Sequence, residues 1–192
     1  MIIRAIENSD IVNLTYLHKK IFGKTHFTST FSLELLTKYF KELIKYHQYK
    51  LAVIEDNIVI GYLIAGINPD VPVKIFLKNN LLALVLVLIK NPSFLVEKLI
   101  ESFSFLYPKK QNIHKNEISI YLIAVDTSIQ NKGIGKTLLK HFEQQLIHNK
   151  INKYTLAVRS GNYATIEFYK KNNFIEIFRD YKTITYMKKL SL

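Results

Sequence analysis

The 192-residue chain is 48% hydrophobic, enough apolar material for a substantial core in one domain spanning residues 1–192. It has no cysteine, which excludes disulfides, thiolate metal sites and cysteine nucleophiles and suits a reducing compartment. The formal charge of +12 asks for an anionic partner, yet the lysines are scattered and form no nucleic-acid module, so nucleic acid is not expected and much of the charge reads as plain lysine-rich surface.

In chain order, Ile2 to Ala5 reads as a short opening strand, and Asn8-Ser9-Asp10 supplies helix-capping chemistry. Ile11, Leu14, Leu17 and Ile21 then recur at helical spacing and stop near Gly23. Residues 24–31 (KTHFTSTF) have no clean period and predict a loop, in which His26, Thr28 and Ser29 are candidate substrate contacts or simple caps. Ser32 caps a second helix carrying Leu36, Tyr39, Phe40 and Leu43. Tyr49 to Glu55 and Ile58 to Asn68 predict a hairpin turning at Asp56-Asn57, with Gly61 marking a bulge or a close backbone approach.

Residues 70–115 read as a helical insertion, with one helix from Val73 to Lys90 and another from Ser93 to Tyr107, separated at Asn91-Pro92. The first ends in LLALVLVLI (Leu81 to Ile89), the longest apolar run. That run is far short of the roughly 18–20 residues a membrane span needs. With no signal-peptide hydrophobic region at the N-terminus, a soluble, cytoplasmic protein is expected. A helix apolar all round must be buried in something. Three readings stay open: a cap over an acceptor pocket, a homodimer interface, or a peripheral membrane contact flanked by Lys74, Lys78 and Lys90.

The most informative stretch is Glu117 to Asn149. A β-branched run, Ile118 to Val125, predicts a buried strand, followed by the turn Asp126-Thr127-Ser128. Gln130-Asn131-Lys132-Gly133-Ile134-Gly135-Lys136 then opens a helix with Ile134, Leu138, Phe142 and Leu146 on its inner face. A strand end beside a glycine-bearing helix N-terminus makes an anion seat, because backbone amides are free there and no Cβ keeps an anion away. A dinucleotide fingerprint fails for want of a third glycine, since the position carries Leu138. A Walker loop fails because Gln130 stands where its first glycine belongs, and the following strand ends in Arg159 and not in a metal-binding Asp. No metal site is expected.

Gln130, Gly133 and Gly135 do fill the pattern Q/R-x-x-G-x-G/A, and a second match follows the strand Lys153 to Val158. Asn162 to Phe174 carries Asn162, Phe168, Tyr169 and Phe174 at the spacing N-x-x-A-x-x-F-Y-x-x-x-G-F, with Thr165 and Asn173 departing from it. Asn173 replaces a helix-ending glycine and is itself tolerant of the left-handed conformation. Ile175 to Asp180 and Thr183 to Leu190 close the sheet as a hairpin. In these two motifs the chain resembles the GNAT superfamily of acyl-CoA-dependent N-acyltransferases. The likeness covers Ile2–Asn68 in outline and Glu117–Leu190 in motif, with the insertion outside it.

The resemblance implies an α/β fold: a central, mixed but mostly antiparallel sheet of about seven strands with flanking helices. It is splayed between strands 4 and 5, and the insertion falls between strands 3 and 4. Acetyl-CoA would lie in the splay as co-substrate, its pantetheine arm against Ile123, Ala124 and Val125 and its pyrophosphate on the amides from Gln130 through Asn131, Lys132, Gly133, Ile134 and Gly135 to Lys136. Asn162 would bond the arm. Tyr169 would give a proton to the departing sulfur, the ordinary pKa values of phenol and thiol, roughly 10 and 8.5, suggesting a near-matched transfer. The general base stays open among Glu117, Ser119, Tyr121, His26, His114 and a water chain. The acceptor is expected to be a small-molecule primary amine, with a nucleotide-linked amino sugar favoured. A protein N-terminus or lysine, a polyamine, and a non-catalytic acyl-CoA-binding module are the rivals.

Overall fold

The computed structural model describes residues 1–23, 26–96, 117–129 and 132–191. Among these, seven strands form one sheet in the order β1-β2-β3-β4-β5-β7-β6. They are β1 (Ile2–Ala5), β2 (Tyr49–Glu55), β3 (Ile58–Ile67), β4 (Ile118–Val125), β5 (Lys153–Arg159), β6 (Ile175–Arg179) and β7 (Thr183–Lys189). Every neighbouring pair is antiparallel except β4 and β5. Helices α1 (Ile11–Phe22), α2 (Leu33–Tyr46), α3 (Asp70–Asn79) and α4 (Leu81–Lys90) cover one face. Helices α5 (Ile134–His148) and α6 (Tyr163–Lys171) cover the other. The mixed, mostly antiparallel sheet with flanking helices is therefore the one the sequence leads to.

Local chemistry accounts for the turns. Asp56 and Asn57 both take positive φ, 49° and 62°, which a two-residue hairpin of primed type requires. Pairing between β2 and β3 shifts register next to Gly61, and a Cβ there would stand 3.2 Å from the Ala124 carbonyl oxygen, so both expectations for this glycine hold. Asn173 adopts φ 64° after α6. The amides of Asn173 and Phe174 donate back to the carbonyls of Lys170 and Tyr169, a Schellman ending achieved without glycine.

The insertion departs from expectation. Instead of one helix from Val73 to Lys90, α3 and α4 meet at Asn80 with a bend of 89°. Asn80 leaves helical geometry, with φ −127° and ψ 27°, and its side-chain amide donates to the Phe76 carbonyl, which closes α3 there. Asn91, bonded back to Val87 and followed by Pro92, ends α4 as expected. Most of the expected helix from Ser93 to Tyr107 lies outside the described residues. No single helix among the described residues is long and apolar enough to cross a membrane, although α3 and α4 together pass that test as a bent pair.

Beneath α1 and α2 the core holds Leu14, Leu36, Phe40, Leu43 and Ile64, each fully buried and each worth roughly 1.5–3 kcal/mol of apolar transfer. His18 sits among them. Its ring nitrogens lie 2.7 Å from both the Tyr62 hydroxyl and Thr28 Oγ1, so α1 is tied to β3 and to the loop before α2. Burial, with help from His26 and Lys19, holds its pKa down to about 3.

A folded-state value below the unfolded one means that the unfolded chain gains a proton first as pH falls. The stability His18 carries is thus complete above about pH 6.5 and is lost progressively below it. Between pH 7 and pH 5 this group should remove about 2 kcal/mol of unfolding free energy, measured from urea midpoints. A His18→Gln variant, less stable at neutral pH, should show a correspondingly flatter pH profile. An equally steep profile in the variant would contradict the assignment.

Candidate active site

The parallel pair at the centre of the sheet is barely a pair. β4 and β5 are in register only at Ser119–Thr155 and Ile120–Leu156, although β4 runs on to Val125 and β5 to Arg159. The cause lies on the other edge of β4. Ile64 faces Leu122 while Ala65 faces Ile120, so Tyr121 is an extra residue, a bulge that bends β4 where its pairing with β5 stops. β5 meanwhile pairs with β7 along its whole length. A wedge opens between two strands that are each anchored on their outer side.

The N-terminus of α5 stands at the mouth of that wedge. Gly133 caps the helix with φ 77°, and Thr137 donates the first intrahelical bond to its carbonyl. The amides of Ile134, Gly135 and Lys136 precede that bond and point out of a 15-residue helix. Ile134 buries its side chain in the core, while Lys132 and Lys136 are exposed. A Cβ on Gly135 would meet Phe168 Cζ at 3.5 Å and Val125 Cγ2 at 3.9 Å, which places the end of β4, the start of α5 and α6 around one point. Since those are ordinary contacts, the protein alone does not demand a glycine at 135, whereas the backbone at 133 does. Gln130 and Asn131 lie outside the described residues.

Ties across the fold fix this arrangement. Lys20 on α1 pairs with Asp126 at 2.7 Å, and Asp126 accepts from the amide and hydroxyl of Ser128, setting the turn between β4 and α5. Glu143 on α5 accepts from Tyr154 on β5 at 2.6 Å and from Lys188 on β7 at 2.7 Å. Asn162 caps α6 by accepting from the Thr165 amide, leaving its amide nitrogen to other partners. It borders a hollow of about 460 Å³ with Arg159, Ser160, Gly161, Tyr181 and Lys182 at the exit of β5. A second hollow of about 460 Å³, between α2 and α4, is lined by other residues and shares none with this end of the sheet.

Tyr169 on α6 is only 4% exposed, and its ring packs against Phe168, Phe174 and Tyr186. No hydrogen bond to its hydroxyl is formed among the described residues. Burial pushes the phenol well above its ordinary pKa of 10. By ordinary values, roughly 10 for a phenol and 8.5 for a thiol, proton transfer to a thiolate is modestly uphill. With its proton held at neutral pH, the phenol can act only as a donor, of a hydrogen bond or of the proton itself.

The other candidates are engaged. Thr28 and Ser29 are buried, the first bonded to His18 and His26 and the second to the carbonyls of Gly23 and His26. Their hydroxyls thus shape the loop. Glu117 is ion-paired with Lys153, and Ser119 lies within the paired part of β4. Tyr121 bonds the Tyr39 hydroxyl at 2.8 Å, and burial raises its pKa, so it stays protonated at neutral pH. His114 lies outside the described residues. The bulge at Tyr121 was not foreseen in the sequence.

Residues 13–174 match the acetyltransferase (GNAT) family. The chain belongs to that family, whose enzymes take acetyl-CoA as co-substrate. It is 35% identical over 72 residues to the ribosomal protein bS18-alanine N-acetyltransferase of Escherichia coli strain K12, a match covering 36% of this chain and 49% of the relative. The chain thus spans about half the length of the curated relatives it matches. The crystal structure of the ribosomal-protein-S18-alanine N-acetyltransferase from Escherichia coli superposes with a TM-score of 0.62 at 15% identity, covering 100% of this chain and 94% of the other. That of the PaiA N-acetyltransferase from Thermoplasma acidophilum, in complex with coenzyme A, gives 0.61 at 17% identity over 98% of both chains. At such identities these two show the shared fold. No cluster of metal-ligating side chains occurs among the described residues.

The two glycines should separate under mutation. Gly133→Ala forces a left-handed alanine and should cost roughly 1–2 kcal/mol of folding stability in a urea titration. Gly135→Ala should keep stability while weakening acetyl-CoA affinity, and Gly135→Val should weaken acetyl-CoA binding at least about tenfold by calorimetry. Undiminished binding by Gly135→Val would remove the α5 N-terminus as the phosphate seat.

Proposed function

We propose that the chain is one acyltransferase domain, residues 1–192 with residues 70–115 inserted, and that it transfers the acetyl group of acetyl-CoA directly to a primary amine. The observation that carries this reading is the wedge between β4 and β5, floored by the amides of Ile134, Gly135 and Lys136. It offers an extended, amide-bearing arm the backbone of Ile123, Ala124 and Val125, and it offers a pyrophosphate a helix N-terminus flanked by Lys132 and Lys136. Gln130 and Asn131 would extend the phosphate seat, and Asn162 would bond the arm through its amide nitrogen.

In the reaction the neutral amine nitrogen attacks the thioester carbonyl carbon. A C–N bond forms, the C–S bond breaks, and the thiolate leaves with the electron pair of that bond. A β4 amide at the bulge would stabilise the developing oxyanion. Tyr169 would stabilise the leaving sulfur by donating a hydrogen bond, while the proton lost by the amine passes to water. Tyr121 and Tyr39, both held protonated by burial, would border the acceptor as hydrogen-bonding groups and not as bases.

For the acceptor, the curated relatives are N-acetyltransferases of alanine on ribosomal protein bS18, which supports a polypeptide amine. The nucleotide-linked amino sugar has no comparable support among the relatives or in the described site. A polypeptide N-terminal amine is therefore the acceptor class we put first.

Thiol release from acetyl-CoA should be seen with short peptides bearing a free N-terminus and be absent with the same peptides blocked. Tyr169→Phe should lower kcat by about tenfold to a hundredfold with little change in acetyl-CoA affinity or melting temperature, since the hydroxyl bonds nothing else among the described residues. Cofactor binding without turnover of any amine, indifferent to Tyr169→Phe, would make the protein an acyl-CoA-binding module instead.

A further inference from the structure

The insertion turns its apolar side the wrong way for a core helix. Of the large aliphatic residues on α4 only Leu84 is buried, at 5% exposure. Leu81, Leu82, Val85, Leu86 and Ile89 are 43–83% exposed, and their spacing places them along one outward stripe. Soluble surfaces scatter such residues singly; a contiguous stripe marks a contact. Among the described residues nothing lies over it.

Charge decides between the occupants. Lys74 and Lys78 on α3 and Lys90 at the end of α4 are exposed around the stripe, and the only carboxylate on either helix is Asp70, at the far end of α3. In a two-fold contact between copies each patch faces itself, which would press these lysines together in a protein already carrying +12. An anionic lipid surface neutralises the same lysines while accepting the leucines between its acyl chains. With ten residues in α4 and an 89° bend to α3, the element is too short and too bent for a single span, which suits lying in the interface.

We infer that α4 is a docking surface for an anionic bilayer, seated parallel to the membrane with its leucines below the headgroups and the lysines among them. This reading stands apart from the acyl-transfer chemistry, because none of these residues lines the wedge.

Flotation of the full chain with vesicles tests it. The protein should rise with vesicles of phosphatidylcholine and phosphatidylglycerol at low salt, and should stay behind with phosphatidylcholine alone. A Leu82→Ser/Leu86→Ser variant should lose about tenfold or more in vesicle partitioning while keeping its melting temperature and acetyl-CoA affinity. Lys78→Glu/Lys90→Glu should lose binding likewise, and added salt should weaken the parent. Absence of binding to any vesicle, or binding unchanged in both variants, would overturn the proposal. So would a dimer by sedimentation velocity that Leu82→Ser/Leu86→Ser dissolves without any lipid being bound.

Discussion

The chemistry proposed for this protein depends on where hydrogen bonding between β4 and β5 stops. A parallel pair in mid-sheet ordinarily continues as far as both strands run, because each buried N–H and C=O needs a partner. Here it ends after Ile120 and Leu156, with strand still to come on both sides. The extra residue at Tyr121 makes the separation obligatory: a bulge paired against β3 increases local twist and steers β4 away from its parallel neighbour. Main chain that would otherwise satisfy itself is left unpaired between the two strands, where the proposed function places an extended ligand.

Much of the remaining structure keeps that wedge from collapsing. β3 holds the outer edge of β4 through Val125, and the Asp126 amide continues the contact to the Ile60 carbonyl. β7 holds the outer edge of β5. Glu143, reached from both Tyr154 and Lys188, pins α5 to the β5 side, while Lys20 and Asp126 pin the preceding turn to α1. The N-terminus of α5, the proposed anion seat, is thereby fixed relative to both lips of the opening. Such rigid placement is what lets backbone groups, which carry no adjustable side chain, select a ligand by shape.

Features set by one or two residues were readable in advance. Asp56-Asn57 has few alternatives to a primed turn, Asn173 can take the place of a C-terminal glycine, and Gly61 marks a strand approached closely by its neighbour. The helix start at Gly133 was readable for the same reason, since glycine spacing is local. Features set by pairing between distant segments were not. Nothing in Ile118 to Val125 shows that Tyr121 will be the residue left over, because this depends on the register β3 imposes. The break at Asn80 had a signal in the Asn79-Asn80 pair, overridden by the apolar run around it. The hydrophobicity of α4 says that it seeks an apolar environment but not that most of its aliphatic side chains are exposed. Tyr169 shows the same division: its position in the motif was plain, while the burial that raises its pKa is a property of packing against Phe174 and Tyr186.

The proposed chemistry turns on the wedge accepting the arm of acetyl-CoA as an added strand. Hydrogen exchange at the β4 amides from Leu122 to Ala124, followed with and without acetyl-CoA, reads this directly. Exchange at the amides facing β5 should slow markedly when acetyl-CoA is present, while amides already paired with β3 should change little. Equal exchange in both conditions, with acetyl-CoA bound by calorimetry, would place the cofactor elsewhere and contradict the proposed chemistry.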